Sequence, residues 1–140
     1  MEIRYEKHWS GHLNRWMEFK IYGSTGKPVL FIPCQAGRFW DFEGFNMDKT
    51  WAPWIESGQV MVFSCDSIDN EAWAALGADK RWRIENHEKW VSYITTELVP
   101  AIKHIAGLAN GYDQGIMTFG ASMGAMHAAN LYYRRPDLFD

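Results

Sequence analysis

Gly120-Ala121-Ser122-Met123-Gly124 is the stretch of this sequence with the plainest chemical potential. It follows the apolar run Gly115-Ile116-Met117-Thr118-Phe119 and precedes Ala125-Met126-His127-Ala128-Ala129, the start of a helical pattern. A serine between two glycines, where a buried strand turns into a helix, is the G-x-S-x-G nucleophile elbow in its required context. The turn is tight, so the hydroxyl stands clear of the sheet. Side chains at the flanking glycines would collide with the neighbouring strand and helix. The new helix points backbone N–H groups and the positive end of its dipole at the same place. The chemistry would be attack of Ser122 on an acyl carbonyl, with the Met123 amide placed to stabilise the oxyanion. The bland alternative is an ordinary strand-to-helix turn that contains a serine.

A second oxyanion donor is expected from the loop after the first buried strand, Pro33-Cys34-Gln35-Ala36-Gly37-Arg38-Phe39. Counting from the strand end selects the Gln35 amide, with Ala36 as the neighbour most easily confused with it. Arg38 is expected to pair with Asp41 or Glu43 rather than to meet a substrate carboxylate. Asp66 and Asp69 follow the second buried strand, at the rim where sites of layered α/β folds gather. His87 is read as a cap partner at the start of a helix. His8, His12 and His104 are read as structural, and no residue spacing suggests a metal site.

These residues need a scaffold. Residues 3–9 and 13–22 alternate and predict an antiparallel hairpin turning at Ser10-Gly11-His12. Residues 23–28 read as a loop. The runs 29–32, 60–65 and 115–119 are apolar without alternation, as strands buried on both faces are, and predict a parallel sheet covered by helices. A short helix is expected near Trp51–Ile55, a long one from His87 to Ile105 kinked by Pro100, and a last one from about Met123 to Arg134. The order β-β-β-(α)-β-α-β-α makes an α/β layered unit, residues 1–140 forming one domain.

Composition narrows the rest. The chain has 140 residues, 47% hydrophobic and 22% charged, enough for a core and unlike a disordered chain. A net charge of −3 gives no footprint for nucleic acid, and no apolar run approaches a membrane span. The N-terminus lacks an apolar secretory segment, and Cys34 and Cys65 lie in apolar runs read as strands. Buried free thiols and a cytoplasmic location are the expectation. Aromatic residues reach 16%, with eight Trp.

Together the residues resemble a known family. The elbow, Phe31-Ile32-Pro33 with Gly37-Arg38-Phe39, Val62 to Asp69, Trp82-Arg83-Ile84 before His87-Glu88, and Arg135 to Phe139 occur in the order seen in esterase-D-type esterases. These belong to the α/β-hydrolase superfamily, with mycolyltransferases as more distant relatives. The chain resembles their N-terminal half. The resemblance implies a Ser-His-acid hydrolase of acyl esters or thioesters, with no cofactor, Ser122 as nucleophile, and Met123 and Gln35 as oxyanion donors.

The departure from the family lies after Ser122. In α/β-hydrolases the acid and then the histidine follow the serine along the chain. Here the residues after Ser122 hold His127, Asp137 and Asp140, mostly in one helix. His127, five positions on, is not expected to reach Ser122, and Asp137 is not expected to be the acid. The expectation is therefore a truncated hydrolase unit, inactive alone, with the acid and histidine in segments beyond it. The serine strand is expected to present an unpaired edge, open to a second copy or a complementing chain. The alternatives are a non-catalytic binding module using Trp40, Trp51, Trp54, Trp73 and Trp82, and an acyltransferase using the same serine.

Overall fold

The computed structural model describes residues 1–140. Val29 to Ile32 and Met61 to Phe63 are apolar on both faces, so they are satisfied only inside a sheet covered on both sides. They lie in β3 (Lys27–Ile32) and β4 (Val60–Cys65), which pair in parallel from Lys27↔Val60 to Phe31↔Ser64. β5 (Met117–Gly120) runs parallel to β3 on its other side, from Val29↔Met117 to Ile32↔Gly120. The hairpin of β1 (Ile3–Ser10) and β2 (Arg15–Tyr22) joins antiparallel to β4 through β2. The sheet order is β1-β2-β4-β3-β5.

Strand side chains alternate between two layers, as the pleat requires. Val29, Phe31 and Val62 pack on Phe42 and Ile55 from the short helices α1 (Asp41–Gly44), α2 (Met47–Thr50) and α3 (Ala52–Glu56). Leu30, Ile32, Met61 and Phe63 face the opposite layer of α4 (Lys80–Tyr93), α5 (Val99–Asn110) and α6 (Met123–Arg134). There they meet Trp90, Ile94, Leu98, Ile102 and Leu131 in the larger core. No helix is long and apolar enough to cross a membrane.

Several expectations need correction. The long helix begins at Lys80, not His87, because Asp79 caps it by accepting the Trp82 amide at 2.9 Å. His87 is accordingly a buried mid-helix residue rather than a cap partner. Pro100 does not simply kink this helix. A π-helical turn, Ile94–Leu98, separates α4 from α5 and leaves the proline in the first turn of α5, where its missing N–H costs nothing. Cys65 is buried in β4, but Cys34 follows β3 and is partly exposed. The outer edge of β5 is not wholly open either. Ile116 forms a parallel bridge with Phe139, donating to the Leu138 carbonyl and accepting from the Asp140 amide.

The π turn also holds the hairpin. Glu97 accepts from Ser10 Oγ at 2.5 Å and from the Gly11 and His12 amides at 2.8 and 3.2 Å. Burial pushes its carboxyl up, but these donors outweigh that and hold it below the ordinary value. Glu97→Ala should lower the unfolding free energy by about 1–2 kcal/mol, seen as a lower urea midpoint, and Glu97→Gln should recover part of the loss.

Candidate active site

Ser122 lies between β5 and α6 with φ 55° and ψ −128°. A positive φ is strained for a residue with a side chain, at a cost on the order of 1–3 kcal/mol. Serine at a helix N-cap normally folds its hydroxyl back onto an amide of the first turn, but Ser122 makes no such bond, and the residue is exposed. The hydroxyl is therefore free for a ligand.

The flanking glycines permit this bend. A Cβ on Gly120 would lie 2.4 Å from the backbone carbon of Gly124. A Cβ on Gly124 would lie 2.4 Å from the Ile32 carbonyl oxygen. The start of α6 thus rests directly on the end of β3.

Because β3 and β5 end side by side at Ile32 and Gly120, the loop after β3 stands next to Ser122. Gly37 donates to the Cys34 carbonyl at 2.9 Å, closing a turn with Gln35 and Ala36 at its centre. Ala36 has φ 57°, the left-handed value that the third position of a type II turn requires. Its amide donates to Asp69 Oδ2 at 2.8 Å. The Gln35 amide has no partner within the chain, and neither does the Met123 amide, which opens α6. Two unpaired N–H groups therefore stand on the neighbouring segments, whereas the Ala36 amide is taken.

The buried acids have structural partners. Asp66 binds Arg38 through both carboxylate oxygens, at 2.6 and 3.2 Å. Arg38 thus pairs with Asp66, and at 3.7 Å with Glu18, rather than with Asp41 or Glu43 as expected from the sequence. Both aspartates were visible in the sequence as acids after the second buried strand, but nothing in the residue pattern linked Asp69 to Ala36, 33 positions away. Asp137 pairs with Arg135 at the surface.

No histidine is hydrogen-bonded to Ser122. His8 bonds Tyr93 and His12 bonds Thr96, while His104 is exposed on α5. His127 turns into the core and stacks on His87 with ring centroids 5.0 Å apart, beside Trp90 at 5.3 Å. Its Nε2 lies 4.0 Å from Asp69 Oδ1, too far for a hydrogen bond. Burial drives the His87 pKa down to about 4, and repulsion from His127 adds to this. Burial also lowers His127, although Asp69 pulls the other way. Both rings are neutral at pH 7, so the Asp69 contact is not an ion pair. No group of three or more His, Cys, Asp or Glu residues is arranged to hold a metal.

A layered sheet with a serine on a strained strand-to-helix bend defines the α/β-hydrolase class. The chain belongs to the Esterase family, whose model, described as "Putative esterase", matches residues 10–140. No curated protein sequence matches it. Among solved structures it is similar to the S-formylglutathione hydrolase of Agrobacterium tumefaciens, with TM-score 0.68, 19% identity, and coverage of 98% of this chain and 55% of that one. It is also similar to a CE1 ferulic acid esterase of Anaeromyces mucronatus, with TM-score 0.66 and 11% identity over 99% of this chain and 55% of that one. A third is the fluorophosphonate-binding serine hydrolase F of Staphylococcus aureus, with TM-score 0.60 and 12% identity over 99% and 54%. At these identities the likeness is one of fold. The chain spans about half the length of each.

Two stability measurements check this geometry. Gly124→Ala should cost about 1–3 kcal/mol by overpacking, whereas Gly107→Ala, where an added Cβ meets nothing within 4 Å, should gain about 0.5–1 kcal/mol. A histidine with a lowered folded-state pKa makes the unfolded chain bind more protons as pH falls below its ordinary value near 6.5. The contribution of His87 is thus complete above about pH 6.5 and is lost as pH falls toward about 4. His87→Phe, which keeps an aromatic ring in the stack, should show a smaller drop in urea midpoint between pH 7.5 and 4.5 than the parent chain.

Proposed function

We propose that residues 1–140 form one α/β-hydrolase unit that acts on carboxylic esters or thioesters, with Ser122 as nucleophile and the Gln35 and Met123 amides as its oxyanion hole. The observation that carries this reading is the pairing of an exposed, uncapped serine with two unpartnered amides on adjacent segments.

In the reaction, Ser122 Oγ attacks the acyl carbon. A base takes its proton, the carbonyl electrons move onto oxygen, and the two amides receive that charge. The bond to the alcohol or thiol then breaks, and the leaving group takes the proton from the base. Water attacks the acyl-enzyme in the same way, releasing the acid and restoring the serine. Since no histidine here is bonded to Ser122, the base comes from outside residues 1–140, and the chain alone turns over esters weakly. The same absence favours a second reading, a binding module in which Ser122 does no chemistry.

A fluorophosphonate separates the two. It should label the chain at Ser122, slowly because no base is bonded to the hydroxyl and only the amides assist, and Ser122→Ala should abolish labelling. No labelling, or equal labelling of the variant, overturns the nucleophile assignment. Gln35→Pro deletes one N–H at a turn position that tolerates proline, so it should slow labelling by about 10²–10³-fold with the unfolding midpoint unchanged.

A further inference from the structure

An apolar chamber of about 250 Å³ opens beside Ser122. Phe31 and Phe119 of the paired strands line it together with Phe45 and Met47, and Cys34 and Ala121 flank the serine itself. None of these side chains is charged. Cys34 offers little polarity, because burial and the nearby Asp41 carboxylate push its thiol pKa up and keep it protonated. Phe45, at the junction of α1 and α2, is 62% exposed although it borders the chamber. Asn46, with φ 57°, turns the chain there so that Phe45 and Met47 both reach the same space.

The geometry points to an unbranched apolar acyl group as the occupant, an inference that rests on Ser122 being the nucleophile. In the tetrahedral adduct one bond goes to Ser122 Oγ, and the oxyanion faces the two amides. The acyl chain and the leaving group take the remaining directions. The chamber offers no hydrogen-bond partner for a hydroxylated or charged substituent, so such a group would lose its water without replacement. It does offer burial to a hydrocarbon chain, which would also cover the exposed face of Phe45. Size sets the upper limit. A cavity of roughly 150 Å³ holds benzene, so one of 250 Å³ takes about ten carbons. The fitting substrates are esters of linear acids of about four to eight carbons.

O-ethyl fluorophosphonates with a methyl, butyl, hexyl or dodecyl group on phosphorus test this, because that group takes the place of the acyl chain. Labelling of Ser122 should quicken by up to about fourfold per added methylene through hexyl, and fall for dodecyl. Phe45→Ala should flatten the series, and Met47→Trp, which fills the chamber, should move its maximum to butyl or below. Ser122 labelling with no chain-length preference, or with one that neither variant alters, overturns the chamber assignment and leaves the nucleophile standing. If no phosphonate labels the protein, the nucleophile reading fails instead. The chamber is then decided by titrating hexan-2-one against the methyl-¹³C signal of Met47. A saturable shift, equal in Ser122→Ala and weakened in Phe45→Ala, which keeps the Met47 reporter, supports an apolar site, and no shift overturns it.

Discussion

The parallel pairing of β3 with β5 is the constraint from which the rest of the site follows. It ends at Ile32 and Gly120, so the two loops that leave the sheet start side by side. One loop bends sharply into α6 and the other closes the Cys34–Gly37 turn. The contact is close enough that the start of α6 has no room for a side chain at Gly124 over the Ile32 carbonyl. A shift of one residue in this register would invert the faces of β5 and carry Ser122 away from the unpaired amides. Backbone hydrogen bonds, rather than side-chain contacts, thus set the distance between hydroxyl and donors.

Asp69 extends that control to a third strand. It follows β4, lies almost wholly buried, and takes the Ala36 amide. The bond selects between adjacent amides, occupying the one at Ala36 and leaving the one at Gln35 free. His127, stacked with His87 and Trp90, lies 4.0 Å from Asp69, so this buried carboxylate borders a buried aromatic cluster. Neutral imidazoles suit this place, since a protonated ring would draw the carboxylate toward α6.

What the sequence disclosed follows from how each feature is written. The strands at 29–32 and 60–65 are continuous apolar runs, and burial on both faces leaves no other pattern. The bend at Gly120–Gly124 is local, and two glycines around a serine state it directly. The start of α4 was hidden because Lys80 to Asn86 is mostly polar and the capping Asp79 looks like any loop aspartate. The Arg38–Asp66 and Ala36–Asp69 bonds join residues about thirty positions apart, and no periodicity carries such a link. The apolar chamber draws on β3, β5, α2 and the loops beside them, so no single stretch of sequence describes it.

The π turn has a consequence for the larger core. The buried residues Ile94, Leu98, Ile102 and Ala106 recur every four positions. On a regular α-helix of 3.6 residues per turn, each such step would precess by about 40°, so the row would wind off the sheet within three steps. The wider turn takes up an extra residue and resets the phase, acting as a vernier between the two helical halves. Pro100, otherwise an interruption, lies just past that adjustment, and one continuous seam of side chains seals the sheet from the hairpin to the last helix.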